Sequence, residues 1–496
     1  LRKTQNFRQF DFSLDILLPA SSLFCSYSRC PEETLPVVID LNSDYIGEPF
    51  GLPGAKLQVQ DLIRELGCEQ AINVSKSQYA RQYLFATLAP SQIKALVALD
   101  MRSPQDSRAI KRIWPDFQLK AQLHKSIATI KANAAHQSFA ALGDNIVWAV
   151  MDSGIDATHP HFTQHQNLIL KPPLLPKDFT TGDLDPLQDD FGHGTHVAGI
   201  IAGELAEPAD DLPKGKKKPA AEAPKIHAYT RTQDQEGEIA YDAVPLQRIT
   251  GVAPRAKLLS LKVLDENGDG LVSSAIAAIG YIQELNEYGR QLRVHGVNMS
   301  LGYEFDAEWF GCGNSPLCVE VNRLVRSGVV VVVAAGNTGF GVSMSAAKGG
   351  VRTGLDLTIN DPGNAELAIT VGATHREAPH QYGTSYFSSK GPTGDGRLKP
   401  DLIAPGEKIL SCAAGSKRAK ILKKVSECNY LEESGTSMAS PHVSGAIAAF
   451  LSVRREFIGQ PETVKQIFLD SATDLKRDRY FQGYGLLDLM RAIQSV

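Results

Sequence analysis

Gly435-Thr436-Ser437-Met438-Ala439-Ser440-Pro441-His442 places a hydroxyl on a turn of small residues, just where the apolar run Val443 to Leu451 opens a helix. Ser437 reads as a nucleophile at a helix start. Pro441 fits a first helical turn, where its missing N–H is no loss. A helix so rich in small apolar residues is expected to be buried, and its N-terminus would aim unpaired N–H groups and the positive dipole end at developing negative charge.

Two upstream segments supply what such a serine lacks: Asp152-Ser153-Gly154 and His193-Gly194-Thr195-His196-Val197-Ala198-Gly199. A serine hydroxyl is a poor nucleophile at neutral pH, so an imidazole must take its proton and a carboxylate must hold that imidazole in the right tautomer. Asp152, His193 and Ser437 are the residue types this chemistry needs. Ala334-Ala335-Gly336-Asn337, ending a valine-rich run, adds a side-chain amide that can bind an oxyanion beside the Ser437 backbone N–H. Taken singly, an Asp, Ser or His is usually a cap, a turn residue or a satisfied polar group; the joint placement carries the reading. Asp156 competes with Asp152, but Asp152 directly follows the apolar run Ile146 to Met151 and so ends a buried strand, where catalytic groups of open α/β sheets gather. Asp156 reads as a loop or capping residue. His196 lies one helical turn beyond His193, yet no third metal ligand accompanies the pair, so packing is its expected role.

In this order the four segments resemble the subtilisin-like serine peptidases, whose acid, base and nucleophile follow one another as Asp, His, Ser. Phe387-Ser388-Ser389-Lys390-Gly391-Pro392, Lys399-Pro400-Asp401-Leu402-Ile403-Ala404-Pro405-Gly406 and Gly483-Tyr484-Gly485 extend the resemblance, which runs from about residue 128 to the C-terminus. It implies an α/β fold with a doubly wound, mainly parallel sheet, and a serine endopeptidase that cuts extended polypeptides and processes itself. It also implies that Asp269, Gly270 and Leu271, with Gly268, form one edge that pairs with substrate. Ser300, Leu301 and Gly302 would form the other, and Ala334, Ala335 and Gly336 the pocket for the residue before the cut. Glycine suits places where backbone approaches backbone. The patterning agrees with such a sheet: Leu258 to Leu264, Gly296 to Leu301, Val329 to Val333 and Ala368 to Val371 are short, apolar and β-branched, as strands covered on both faces should be. Helical patterns, Ser273 to Tyr288 and Glu320 to Ser327, separate them.

Composition bounds the rest. At 496 residues and 43% hydrophobic, the chain allows several domains and a large core. A formal net charge of -4 offers no basic field, so neither nucleic acid nor an anionic membrane is an expected partner. No run of about 18 apolar residues predicts a spanning helix. Residues 1–35 are irregular and contain Cys25 and Cys30, to which no role is assigned. Residues 36–119 alternate short strands and helices in a βαββαβ, ferredoxin-like pattern if a weaker strand lies near Ile72-Asn73-Val74. Standing before residues 120–496, the catalytic region, this segment resembles the family's inhibitor-type propeptide. The resemblance makes it an intramolecular chaperone and inhibitor whose tail lies in the cleft; an unrelated small α+β domain is the alternative. Aligning Ala128 to Ala132 with the family's mature start puts the cut close to Leu119, and Phe117 and Leu119 hint at an apolar specificity pocket.

Chemistry of this type needs no cofactor. Asp265, Asn267, Asp269 and Gly270 mimic the opening of a calcium loop, but Ile276 stands where the bidentate Glu belongs, so the segment reads as a substrate loop. His161 stands where many family members carry a calcium-ligating Asp. An insertion, about Gly203 to Ile249, replaces the usual ligand loop. The family's high-affinity calcium site is therefore expected to be absent, with calcium elsewhere left open. Rich in Ala, Pro, Lys and Glu, with the run Lys214-Gly215-Lys216-Lys217-Lys218, the insertion reads as a mobile surface loop, with partner docking or self-cleavage as further roles. Seven cysteines leave at least one unpaired; Cys312 with Cys318, and Cys412 with Cys428, are candidate disulfides that sequence alone leaves open. Asn73-Val74-Ser75 fits a glycosylation acceptor, whereas Asn298-Met299-Ser300 falls in a buried strand. The resemblance favours a secreted or periplasmic enzyme, with a cytoplasmic one open. A latent zymogen opened by a second protease and a catalytically silent scaffold are the competing readings. Oligomeric state and physiological substrate are not legible.

Overall fold

Apolar residues recurring at every second position build the small sheet of the amino-terminal unit. Strand β1 (Leu35–Leu41) lies between β2 (Tyr83–Leu88) and β3 (Ile110–Pro115), antiparallel to both. Val37, Ile39 and Leu41 point to one side, where the helices Leu52–Glu65 and Pro90–Asp100 cover them with Val59, Ile63, Ile93 and Leu96. The expected weaker strand near Ile72 shrinks to a single antiparallel bridge with Ala86. Asn73 is the reason: its side chain accepts the Lys76 N–H and caps a short helix, Val74–Ser77, so the chain turns away from the sheet.

The computed structural model describes residues 34–78, 80–104, 107–115, 125–181, 183–206, 226–233, 239–303, 312–345 and 349–496. The expectations for residues 1–33 with Cys25 and Cys30, for Phe117 and Leu119 at the cut, and for the lysine run at 214–218 lie outside them. The chain divides into two compact units, Leu1–Ala121 and Gln122–Val496.

The second unit is built on seven strands: β4 (Val147–Asp152), β5 (Lys177–Asp178), β10 (Lys257–Lys262), β11 (Gly296–Met299), β12 (Val330–Ala334), β15 (Ile369–His375) and β16 (Leu402–Glu407). Their order is β16-β15-β12-β11-β4-β10-β5, and every neighbouring pair is parallel. Successive side chains of a strand face opposite ways, and here both ways lead into core. Trp148, Val150, Val330 and Val332 join one core, while Ala149, Met151, Val331 and Val333 join the other. The helices His193–Ile201 and Thr436–Val453 pack on the first face. Val272–Leu285 and Pro316–Arg326 pack on the second. A three-layer α/β sandwich results. A separate antiparallel hairpin, β13 (Phe340–Ser345) with β14 (Gly349–Gly354), follows β12.

One expectation is overturned here, and one open question is answered. The flanks of the insertion over 203–249 are structured: β6 (Glu204–Ala206) pairs with β9 (Arg248–Thr250), and β7 (His227–Gln233) forms an antiparallel hairpin with β8 (Ile239–Pro245). Strand β7 then extends the pair β17 (Ile409–Cys412) and β18 (Tyr430–Glu433) into a four-stranded sheet. Average composition hid two segments rich in β-favouring residues. Tyr229 and Tyr241 pack against Ala413, Ile421, Cys428 and Leu431. The suggested disulfides are also absent, since Cys312, Cys318, Cys412 and Cys428 are free thiols. Cys318 is buried in its helix, and burial pushes its thiol up to about 12. Cys412 sulfur packs beneath Gly199, where an added methyl would sit 2.5 Å from it, while Cys428 turns its sulfur to the Tyr430 carbonyl at 3.6 Å.

Candidate active site

Strand β4 carries its apolar run up to Asp152, which is thereby left at the strand's carboxyl end, buried yet facing the start of the next helix. That helix begins at His193, and its Nδ1–H donates to Asp152 Oδ1 at 2.7 Å and Oδ2 at 3.0 Å. Gly192 precedes it at φ 94, tight enough that an added Cβ would lie 2.2 Å from the Ala414 carbonyl. Burial alone would depress the His193 imidazole, but the charge and hydrogen bond of Asp152 outweigh it and raise the ring above the usual histidine value. Only 14% of the His193 side chain is exposed.

Ser437 sits in the first turn of Thr436–Val453, and its hydroxyl donates to the Ser300 carbonyl at 3.1 Å. Pro441 falls inside this helix, one turn later than the sequence reading placed it. Having no N–H, it leaves the Ser437 carbonyl without the helical donor four residues on. Ser300 Oγ fills that place at 2.9 Å. Ser300 Oγ also meets Ser440 Oγ and accepts from Asn298 Nδ2, both at 2.8 Å, and Ser444 Oγ donates to Asn298 Oδ1 at 2.9 Å. This polar seam joins β11 to the helix that carries Ser437. Asn298 was missed, although a buried Asn in a strand always needs partners.

Asn337 follows β12. Its Oδ1 accepts the Thr436 N–H at 2.9 Å and the Thr436 hydroxyl at 3.2 Å, which turns the Nδ2 hydrogens outward from an exposed residue. Gly336 before it has φ 112, and an added Cβ would stand 2.7 Å from both Asn360 Cγ and Ser389 Oγ.

His193, Ser437 and Asn337 line one cleft of about 520 Å³, together with Asp269, Gly270, Leu271, Ser300, Leu301, Gly302, Ala334 and Gly336. Ala335 does not reach it: fully buried, it uses its carbonyl to accept the Asn360 N–H at 3.0 Å behind the wall. Phe191, Val263, Leu264 and Val272 add apolar lining, and Tyr303, Thr338 and Asn360 add polar lining; sequence reasoning singled out none of these.

Asp189 was missed as well. Its buried carboxylate accepts Ser153 Oγ at 2.9 Å, Gly192 N–H at 2.7 Å, Thr195 N–H at 2.8 Å and Thr195 Oγ1 at 2.6 Å. Ser153 in turn accepts the Gly194 N–H at 3.0 Å. The network locks the start of the His193 helix onto the end of β4. An acid just ahead of a helix start was the available signal. Of the two residues set aside, Asp156 Oδ1 accepts the Thr158 N–H and hydroxyl in a local turn. His196 is buried, held down to about 4 by burial, with Nε2 near the Leu431 carbonyl.

His161 is buried between the Tyr430 hydroxyl, 3.1 Å from Nδ1, and the Gly199 carbonyl, 3.2 Å from Nε2. Among the described residues no cluster of three or more His, Cys, Asp or Glu is placed to hold a metal. No helix among them is long and apolar enough to cross a membrane.

Residues 143–486 match the subtilase family of S8 peptidases. The chain belongs to that family. This subtilase is a serine-type endopeptidase, and its chemistry is independent of a cofactor. It is 27% identical over 411 residues to the serine protease AprX of Bacillus subtilis, covering 81% of this chain and 76% of the relative. Subtilisin E of the same organism is 30% identical over 368 residues, 74% of this chain and 70% of that one. The major intracellular serine protease of B. subtilis is 32% identical over 330 residues, 66% and 74% respectively.

Proposed function

We propose that this subtilase cuts extended polypeptides with Asp152, His193 and Ser437 as its proton-transfer line. The observation that carries the reading is the Asp152 carboxylate on His193 Nδ1, at 2.7 Å, behind a cleft that both His193 and Ser437 face. The hydroxyl of Ser437 leaves the Ser300 carbonyl for His193 Nε2, passes its proton there and bonds to the scissile carbon. Asn337 Nδ2 and the Ser437 N–H, free in a first helical turn, hold the oxygen as it becomes an anion. His193 then gives the proton to the leaving amine as the C–N bond breaks. A water, deprotonated by the same imidazole, releases the acid and restores Ser437.

Gly268 to Leu271 and Ser300 to Gly302, on two walls of the cleft, suit strand-like pairing with the substrate backbone. The unit over residues 36–119 fits the part of an intramolecular inhibitor, supported by its antiparallel three-stranded sheet and its place before the catalytic unit. Cleavage near Leu119 would release it. Work outside the cytoplasm is part of the same reading, although one relative's name marks it intracellular.

Purified wild type and Ser437→Ala, compared by N-terminal sequencing and by labelling with a serine-directed phosphonate, test all of this. Wild type should carry a new N-terminus near residue 120 and take the label, while Ser437→Ala stays uncut and unlabelled. A wild type that labels only after added protease would make the enzyme a latent zymogen. Wild type that never labels and never cuts would leave the cleft a binding scaffold.

A further inference from the structure

Near His193 stand a cation and an anion that the hydrolytic steps do not use. Lys417 lies in the helix Gly415–Leu422 and Glu433 at the end of β18, four residues before Ser437. Lys417 Nζ meets Glu433 Oε2 at 2.6 Å, with 19% and 18% of the two side chains exposed. The Lys417 ammonium also stands 5.1 Å from the centre of the Phe191 ring, whose own centre is 6.3 Å from the His193 imidazole. Gly192, immediately before His193, packs close to Lys417 Cβ, which an added methyl would approach at 3.4 Å.

The pair is mostly buried, so each charge depends on the other for compensation, and the hydrolytic steps use neither. Its position gives it another use. The charged and titratable groups whose fields reach His193 are Asp152 from β4, His196 from its own helix, Lys417 and Glu433, with Asp189 coupled to Asp152. His196 is neutral near neutral pH because burial holds it down to about 4. Asp152 is the hydrogen-bonded partner. Lys417 and Glu433 therefore remain as the adjustable field on the imidazole, and they oppose each other: the ammonium disfavours the imidazolium and the carboxylate favours it.

Resting on the reading of His193 as the proton carrier, we propose that Lys417 and Glu433 are a compensated charge pair that holds the protonation equilibrium of His193 in place, each cancelling the other's field at the ring. They are positioning residues for the proton transfer, acting through His193 and not on substrate. The insertion has a part in this. Hairpin β7–β8 packs Tyr229 and Tyr241 on the segment that carries both charges, against Ile421 and Leu431, and so keeps the pair in register with the catalytic helix.

The test is the pH profile of kcat/KM on a peptide substrate for wild type, Lys417→Met, Glu433→Gln and the double variant. Lys417→Met keeps the stem over Phe191 and should move the acid limb to higher pH; Glu433→Gln should move it to lower pH. Each shift should be about 0.5 pH unit, the size expected of one nearby charge in a partly aqueous medium. The double variant should return to the wild-type limb, and raising salt should shrink both single-variant shifts. Thermal unfolding verifies that each variant is folded, with Lys417→Gln and Glu433→Ala replacing any that is not. Limbs that move in the same direction, or do not move, overturn the proposal while leaving His193 as the base. A wild type with no acid limb at all would instead remove the reading of His193 on which the proposal stands.

Discussion

In the proposed mechanism the two ends of the Asn337 amide are divided between structure and chemistry. The carbonyl end is occupied by the Thr436 N–H and hydroxyl, so the side chain has one orientation and its N–H₂ end is committed to the cleft without reorganisation. Preorganised donors of this kind act on the charge that appears in the transition state more than on bound substrate. Asn337→Ala should therefore lower kcat by about 10²–10³ with little change in KM; the size is that measured for the equivalent amide of subtilisin, a relative. Steady-state kinetics would separate this from a binding defect, which would raise KM instead. His193 adds a pH dependence whose sign follows from its raised pKa. In the proposed mechanism only the neutral ring accepts the Ser437 proton, so kcat/KM should fall on acidification, beginning at a higher pH than for an unperturbed imidazole. Linkage runs the other way for the fold. The stability supplied by the Asp152–His193 contact is complete below the unfolded histidine value and is lost as pH rises through the folded one. Activity and this stability component thus oppose one another across neutral pH, which paired activity and urea-unfolding measurements would reveal.

Among the elements, the nucleophile's helix depends on a repair made by its neighbour. Pro441 removes one rung of the helix, and Ser300 Oγ, from the end of β11, donates to the Ser437 carbonyl that the rung would have served. Ser300→Ala should leave that carbonyl unsatisfied and cost about 1–3 kcal/mol of stability. Pro441→Ala in the Ser300→Ala background restores an N–H at the missing rung and should recover part of the loss in thermal unfolding. If the second change only adds to the first, the repair is not what Ser300 provides. Such exchanges explain what could be read in advance. The strands were legible because a parallel sheet buried on both faces demands the continuous apolar runs of β4, β10 and β12. The residue types of Asp152, His193, Ser437 and Asn337 were legible because each stands at the end or start of such an element. Asp189 and Asn298 were not, since their roles consist of partners distant in sequence. The hairpin at 227–245 was hidden by averaging it with a lysine- and proline-rich centre. Cys412 and Cys428, near one another in sequence, gave no sign that their sulfurs face different neighbours.

Across the whole catalytic unit, the segment that resembled the family through Lys399-Pro400-Asp401 turns out to anchor the far end of the sheet. Lys399 Nζ donates to Asp401 Oδ2 at 2.6 Å, to Thr370 Oγ1 at 2.8 Å and to the Ala368 carbonyl at 3.0 Å. Lys465, from the helix Pro461–Asp470, reaches Asp401 Oδ1 at 3.0 Å and the Ala368 carbonyl at 2.8 Å. Asp401 also accepts the Thr370 N–H at 2.7 Å, so one carboxylate joins β15, β16 and a packed helix. Burial would raise its pKa, but the two ammonium groups and the hydrogen bonds overcome that and hold it below the usual carboxylate value. Burial likewise pulls Lys399 down to about 7, against the attraction of Asp401. For a carboxylate with a depressed folded pKa, the stability it supplies is present above its unfolded value and disappears as pH falls through the folded one. Removing Asp401 takes the counter-charge from Lys465 and from the buried Lys399, which must then shed its proton or stay charged unpaired, a loss of about 3–5 kcal/mol. Asp401→Asn should therefore show a much lower urea midpoint than wild type at pH 7, and the gap should narrow as pH falls below the carboxylate range. A gap that stays constant down to strong acid would mean the residue acts by packing and hydrogen bonding alone, with no part for its charge.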